Sequence, residues 1–335
     1  MRFNYFYLLL LIFFGCQKTQ APFSHHVTSS AKPWTIEPKP KPDGDFTFAI
    51  ISDLTGDERA GIFSVAVEQL KLLRPEFIMS VGDLIEGGTE DTLQLKKEYD
   101  YFDERVLKAG APFFHVAGNH DLTNPTMRRY WEKRYGKRYY HFVYQNVLFL
   151  ILDTEDYTEE RMMQIYYARK RAIELLDSGK TKEADQSEYF KMKERATGEI
   201  GDEQSAYFEK VIAENPNARW TFLFFHKPVW KREEPGNLSR IEKALEGKKF
   251  TVMNGHFHEY AYTEKNGHDY IMLGTTGGGQ NVAKQNAFDH ITLVAMTADG
   301  PSWSNLRLDG ILDKTANIPL HGDTLCFQAS KCTRP

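Results

Sequence analysis

Phe250-Thr251-Val252-Met253 runs directly into Asn254-Gly255-His256-Phe257-His258. The first four residues read as a short buried strand, and the glycine lets the backbone turn sharply at its end. Residues two apart in extended chain face the same way, about 6–7 Å apart, so both imidazoles reach into one place. Two histidines at this spacing suit a pair of metal ions about 3.5–4 Å apart, one imidazole to each. A plain histidine pair at a strand end is the competing reading. The rest of the chain decides, by whether it supplies further ligands in order.

Upstream, the same design recurs. Residues 46–51 (FTFAII) read as a first core strand, which exits into Ser52-Asp53-Leu54-Thr55-Gly56. A helix over 63–73 ends at Pro75, and a strand over 77–81 exits into Gly82-Asp83 and on to Glu86. A charged helix over 92–109 precedes a strand over 113–117, which exits into Gly118-Asn119-His120-Asp121. Strand–helix units whose polar clusters all lie at strand exits predict an α/β core with its site at those ends.

A hairpin is expected over 139–152 about Gln145-Asn146, with Asp153 at its exit. Residues 156–200 are highly charged with a helical pattern, and read as an inserted helical pair broken near Ser178-Gly179. Such a pair either caps the site or covers a sheet edge. A helix over 202–213 leads to a strand over 220–225, which delivers His226-Lys227-Pro228, and a further helix covers 237–245. Strands over 270–273 and 290–294 flank a glycine-rich loop, 274–280, which reads as a turn or an anion cradle. His115 and His290 lie inside strand patterns and read as structural.

In order, the clusters are Asp53, Gly82-Asp83, Gly118-Asn119-His120-Asp121, His226 and Gly255-His256-Phe257-His258. The series resembles the calcineurin-like metallophosphoesterase superfamily, which carries D-x-H, GD, GNH-[DE], an isolated His and GH-x-H at successive strand exits. The resemblance covers about residues 45–298. It implies an αββα sandwich of two mixed β-sheets flanked by helices, with 156–200 as an insertion in a domain over 46–325. It further implies two divalent ions (Mn, Fe or Zn) with Asp83 bridging them. Asn119, His226 and His256 would complete one site, and Asp53 and His258 would hold the other. His120 would face the phosphoryl or leaving-group oxygens, with Asp121 orienting it. The activity implied is hydrolysis of phosphate mono- or diesters by metal-activated water.

One ligand departs from the pattern. D-x-H reads Asp53-Leu54-Thr55 here. Glu86, three residues after Asp83, and Asp57, in the following turn, are the candidates to substitute. The contrasting reading is a weak or inactive surface binding protein on the same scaffold.

Composition limits the alternatives. The 335 residues are 41% hydrophobic and 26% charged with a formal net charge of -4, an ordinary globular balance without a nucleic-acid-binding signal. Arg2, the apolar run 6–14 and Gly15-Cys16 read as a secretory signal of lipoprotein type over 1–16, with Cys16 the lipidated residue; plain secretion is the alternative. Residues 17–45, rich in Pro, Lys, Ser and Thr, read as a flexible tether. These features predict an exported, membrane-anchored protein facing the periplasm or cell exterior, a place that favours scavenging of phosphate or nucleotides. Cys326 and Cys332, in the tail 326–335, read as a small disulfide loop or as two free thiols.

Overall fold

The computed structural model describes residues 21–310 apart from Pro42, Asp43, Pro235 and Val282. Cys16, Cys326 and Cys332 lie outside the described residues. Two sheets stack face to face. One contains β2 (Phe46–Ile51), β3 (Phe77–Ser80), β4 (Phe113–Phe114), β11 (His290–Thr297) and β12 (Gly300–Arg307), in the order β12-β11-β2-β3-β4. The other contains β1 (Phe23–His25), β5 (Tyr140–Tyr144), β6 (Val147–Ile151), β7 (Trp220–Phe224), β8 (Phe250–Asn254), β9 (Ala261–Lys265) and β10 (His268–Met272), in the order β1-β5-β6-β7-β8-β10-β9. Each sheet is mixed. β2, β3 and β4 run parallel in the first, and β6, β7, β8 and β10 in the second.

Aromatic side chains fill the space between the sheets. Phe48 stacks on Phe77 at 5.1 Å, Phe114 on Phe142 at 4.2 Å, and Phe142 on Phe149 at 4.5 Å. The outer face of the five-stranded sheet is covered by α1 (Ile62–Leu73), α2 (Thr92–Leu107) and α3 (Pro125–Tyr135), through Phe63, Leu70, Phe102 and Trp131. The outer face of the seven-stranded sheet is covered by α8 (Asp202–Glu214) and α9 (Asn237–Ala244), through Phe208, Ile212 and Ile241. This is the αββα sandwich expected, and it buries both faces of the parallel strands. The expected hairpin forms with Gln145 and Asn146 at φ 49° and 60°, the pair of positive angles a tight two-residue hairpin turn requires.

The reading of 17–45 as a loose tether is corrected within the described residues. β1 pairs antiparallel with β5, Phe23 opposite Tyr144. Val27 and Trp34 are buried in the inter-sheet core. Thr35 N donates to Phe113 O at 3.0 Å, and His115 N donates to Pro33 O at 2.8 Å. This segment therefore joins the β4 edge of one sheet to the β5 edge of the other. It also shortens β4, because the His115 amide is taken by Pro33. A fully buried tryptophan contributes on the order of 3–5 kcal/mol, enough to hold a segment of this length in place.

The insertion begins as one long helix, α4 (Glu159–Asp177), capped by the Thr158 hydroxyl on Arg161 N. It breaks at Ser178-Gly179 as expected. Beyond the break the structure differs from a helical pair: three short helices follow, α5 (Thr181–Asp185), α6 (Glu188–Lys191) and α7 (Lys193–Thr197). Tyr157, Met162, Ile165, Ala168 and Met192 give the insertion a small core of its own.

Candidate metal centre

The parallel strands of both sheets end on one side, and the polar clusters gather there. Asp53 leaves β2, Asp83 leaves β3, Asn119 follows β4, His226 leaves β7, and His256 leaves β8. Two groups of side chains converge closely enough to hold an ion: Asp83, His226 and His256, and Asp53, Asp83 and His258. Asp83 belongs to both.

In the first group, His226 Nε2 lies 3.1 Å from Asp83 Oδ2, 3.1 Å from Asn119 Oδ1 and 3.3 Å from His256 Nδ1. The opposite ring atoms are already engaged. His226 Nδ1 faces Val81 O at 2.9 Å, and His256 Nε2 faces Arg195 O at 2.7 Å. Each carbonyl takes one ring N–H and turns the other ring nitrogen inward, where a binding metal would displace any proton it carries. Donors about 2.1 Å from a common first-row ion sit about 3.0–3.4 Å from one another, which is the spacing found.

In the second group, His258 Nε2 lies 3.4 Å from Asp53 Oδ1, and His258 Nδ1 is held by Gly279 O at 2.5 Å. Asp53 is oriented by the Ser52 hydroxyl at 2.5 Å and by His256 N at 3.0 Å.

Without a metal, the buried carboxylates and histidines balance one another's charge. Burial alone would push His226 and His258 down, yet the carboxylates of Asp83 and Asp53 raise each to about 9. Burial raises Asp83 too, but His226 and His120 outweigh it and hold that carboxyl far below its usual range. Burial, then the charge of His226, holds His256 well below an ordinary histidine, which keeps its ring neutral. Hard carboxylate and amide oxygens with imidazoles, which a metal ion would bind in their neutral form, suit Mn, Fe or Zn, so the residues fit a divalent pair.

The backbone is bent to make this possible. Asp83, His256 and His258 sit at φ 56°, 84° and 57°, a region that costs a non-glycine residue about 1–3 kcal/mol. A Cβ at Gly118 would lie 2.2 Å from Asp83 Oδ1, and one at Gly255 would lie 2.2 Å from Asp53 Oδ2. Only glycine allows the strand exits to close around these carboxylates.

Two expected roles change. The Asp121 carboxylate does not orient His120. It accepts Gly118 N at 2.8 Å and Leu84 N at 3.2 Å, which ties the β3 and β4 exits together. Burial and then the charge of Asp83 push it up to about 8. The His120 ring is held instead by Glu86 O, 2.7 Å from Nδ1. Nor do Glu86 and Asp57 enter either ligand group among the described residues. The Glu86 carboxylate accepts Glu58 N at 2.9 Å and Gly56 N at 3.3 Å, bracing the loop, while Asp57 is exposed. Thr55, where the pattern has histidine, is fully buried and donates to Ile85 O at 2.9 Å. Its hydroxyl is committed to the backbone. Thr55→Val is expected to cost about 1–3 kcal/mol in denaturant unfolding by orphaning that carbonyl, with metal content unchanged; a loss of metal would instead make Thr55 a ligand.

The glycine-rich loop is a turn. Its Thr276 and Gly278 amides donate to Asp53 O at 3.1 and 3.0 Å, and Gly279 N donates to Gly56 O at 2.9 Å. His115 and His290 are structural. His115 stacks on Tyr135 at 4.0 Å, and His290 Nε2 accepts Gly274 N at 2.9 Å. The exit aspartate Asp153 pairs with Arg138 and accepts Glu155 N at 2.8 Å, away from both groups.

Of the two roles open to the insertion, the structure shows the cap, through contributors that carry little signal in sequence. The insertion caps the site through Arg195 O on His256, and it is rooted there by Lys227. That buried amine reaches Glu155 at 2.7 Å and Glu194 O at 3.0 Å. Burial raises Glu155 to about 7 despite the lysine beside it. A lysine straight after the strand-exit His226 was the available signal. Backbone carbonyls such as those of Arg195 and Gly279 leave none.

The chain belongs to the calcineurin-like phosphoesterase family, whose sequence profile matches residues 46–260. No curated protein matches it. Among solved structures it is similar to a dimetal phosphatase from Danio rerio, at 14% identity and a TM-score of 0.53 over 78% of this chain and 96% of that one. It is also similar to a purple acid phosphatase from yellow lupin (Lupinus luteus) seeds, at 13% identity and a TM-score of 0.51 over 85% of this chain and 54% of that one. At these identities the likeness is one of fold.

Proposed function

We propose that this protein hydrolyses phosphate esters at a dinuclear metal centre. The observation that carries the reading is the convergence of His226, His256, Asn119 and Asp83 on one point, with Asp83 shared by the second group. Asp83 would be shared by both ions; Asn119, His226 and His256 would hold one, and Asp53 and His258 the other. Bound metals supply Lewis acidity, which activates water at neutral pH and offsets charge on the phosphoryl oxygens. His120 has its Nδ1–H on Glu86 O, and its Nε2, 3.4 Å from Arg169 Nη2, is turned to the side proposed for the phosphoryl or leaving-group oxygens. Asp121 acts as a brace for the loops. Glu86 and Asp57 stay outside the ligand set.

The test is metal content of the full-length protein by mass spectrometry, paired with hydrolysis of p-nitrophenyl phosphate and its bis-ester across Mn²⁺, Fe²⁺, Zn²⁺ and Ni²⁺. Nearly two ions per chain with metal-dependent turnover is expected. One ion or none, without turnover, replaces this reading with a binding protein on the same scaffold, as Thr55 would then require. We further propose export and lipid anchoring at Cys16, on the strength of Arg2, the apolar run 6–14 and Gly15. Radiolabelled fatty acid is expected in the wild type and absent from Cys16→Ser.

A further inference from the structure

We propose that Arg169, carried by the helical insertion, binds the substrate phosphoryl group and gives the site a preference for phosphate monoesters over diesters. This rests on the phosphoesterase reading above.

Three observations place the guanidinium. Arg169 Nη2 lies 3.4 Å from His120 Nε2. That ring atom is 3.7 Å from a Cβ built on Gly56, and the His258 ring is 3.0 Å from the same point. The guanidinium, His120 and a candidate metal ligand thus border one small space.

Second, Arg169 has no carboxylate within ion-pair distance among the described residues, whereas Arg161 and Arg171 on the same helix pair with Glu194 and Glu188. The guanidinium is half-buried and borders a cavity of about 390 Å³ whose lining also includes Thr89, Tyr166, Lys170 and Glu174, the last too far from it to form an ion pair. Third, the β3 exit makes room for it. Gly88 sits at φ +66°, and a Cβ there would lie 2.7 Å from Arg169 Nη1.

The chemistry selects the ester class. A guanidinium recognises phosphate oxygens through a planar pair of N–H donors. A monoester dianion carries one more terminal oxygen and one more negative charge than a diester. With the metals drawing two terminal oxygens, the third is the one a diester lacks, and it is the one Arg169 takes.

The experiment measures inorganic phosphate binding to metal-loaded full-length protein by calorimetry, together with kcat/KM for p-nitrophenyl phosphate and for its bis-ester. Arg169→Ala is expected to weaken phosphate binding about 10- to 100-fold and to lower monoester kcat/KM similarly, with diester kcat/KM within about threefold of wild type. Arg169→Lys restores part of the phosphate affinity, because charge returns without the fork. Gly88→Ala, which pushes the guanidinium aside, moves the monoester-to-diester ratio the same way. Phosphate affinity of Arg169→Ala within about twofold of wild type, or an equal fall for both esters, overturns the proposal. The binding arm needs no turnover. If wild type binds phosphate and hydrolyses nothing, the hydrolase reading fails while Arg169 is still judged by affinity. If wild type turns over and Arg169→Ala matches it, only the Arg169 proposal fails. Metal-loaded wild type that neither binds phosphate nor turns over defeats both.

Discussion

Asp83→Ala is expected to remove both metals from the protein and to lower phosphoester turnover by at least about a thousandfold. Among the described residues, no other side chain belongs to both ligand groups. Its Oδ2 faces His226, and its Oδ1 accepts the His120 amide at 2.8 Å, so one truncation also frees the loop that carries His120. The stability consequence separates metal loss from general damage. A metal that binds only the folded chain stabilises it by about 2.7 kcal/mol at a hundred times its dissociation constant. Chelation should therefore lower the melting temperature of wild type clearly. It should leave that of Asp83→Ala almost unmoved, since the variant has no metal to lose. The metal-free proteins should differ less than the metal-loaded ones, because only metal-loaded wild type gains the stability that bound ions supply. An Asp83→Ala protein that retains two ions per chain would remove Asp83 from the bridging position.

The strand-exit residues were legible because each depends on its neighbours in sequence. A β-branched or aromatic run, a glycine and a polar residue suffice to place Asp83 or His256 at the end of a buried strand. Once two such ends share a sheet, the side chains meet. Asn124-Pro125 carries an equally local signal, since the Asn124 side chain caps Met127 N at the start of α3. What composition concealed was the segment before β2. Its prolines, lysines and serines describe a linker, and two apolar residues, Val27 and Trp34, decide otherwise by reaching the space between the sheets. Average polarity cannot reveal one or two anchors. The bracing role of Asp121 was hidden for another reason. Whether a carboxylate in this motif meets a ring or a backbone amide depends on the path of the β3 exit, thirty-odd residues away. Thr55 shows the reverse case. The departure from D-x-H is plain in sequence, but its consequence is not. Only the loop geometry shows the hydroxyl turned to Ile85 O and Glu86 drawn off to the Gly56 and Glu58 amides.

Gly118→Ala, a single methyl group, is expected to damage the centre nearly as much as losing a ligand. The added Cβ would lie 2.2 Å from Asp83 Oδ1 and 2.5 Å from Asp83 N. The carboxylate could swing away, but the backbone nitrogen could not, so the β3 and β4 exits must part. Asp121 resists that movement, because its carboxylate bonds both Gly118 N and Leu84 N. The overpacking should cost about 1–3 kcal/mol in unfolding experiments. The larger effect falls on function. Displacing Asp83 and Asn119 by even about 1 Å should lower kcat/KM at least about a hundredfold, with reduced metal content. Gly236→Ala is the matched control. A Cβ there meets nothing within 4 Å, and its φ of -99° suits any residue. That variant should melt, bind metal and turn over as wild type does. If Gly118→Ala did the same, the close packing of the strand exits would not be what positions the ligands, and the site would have to tolerate a wider spacing between Asp83 and Asn119 than the structure shows.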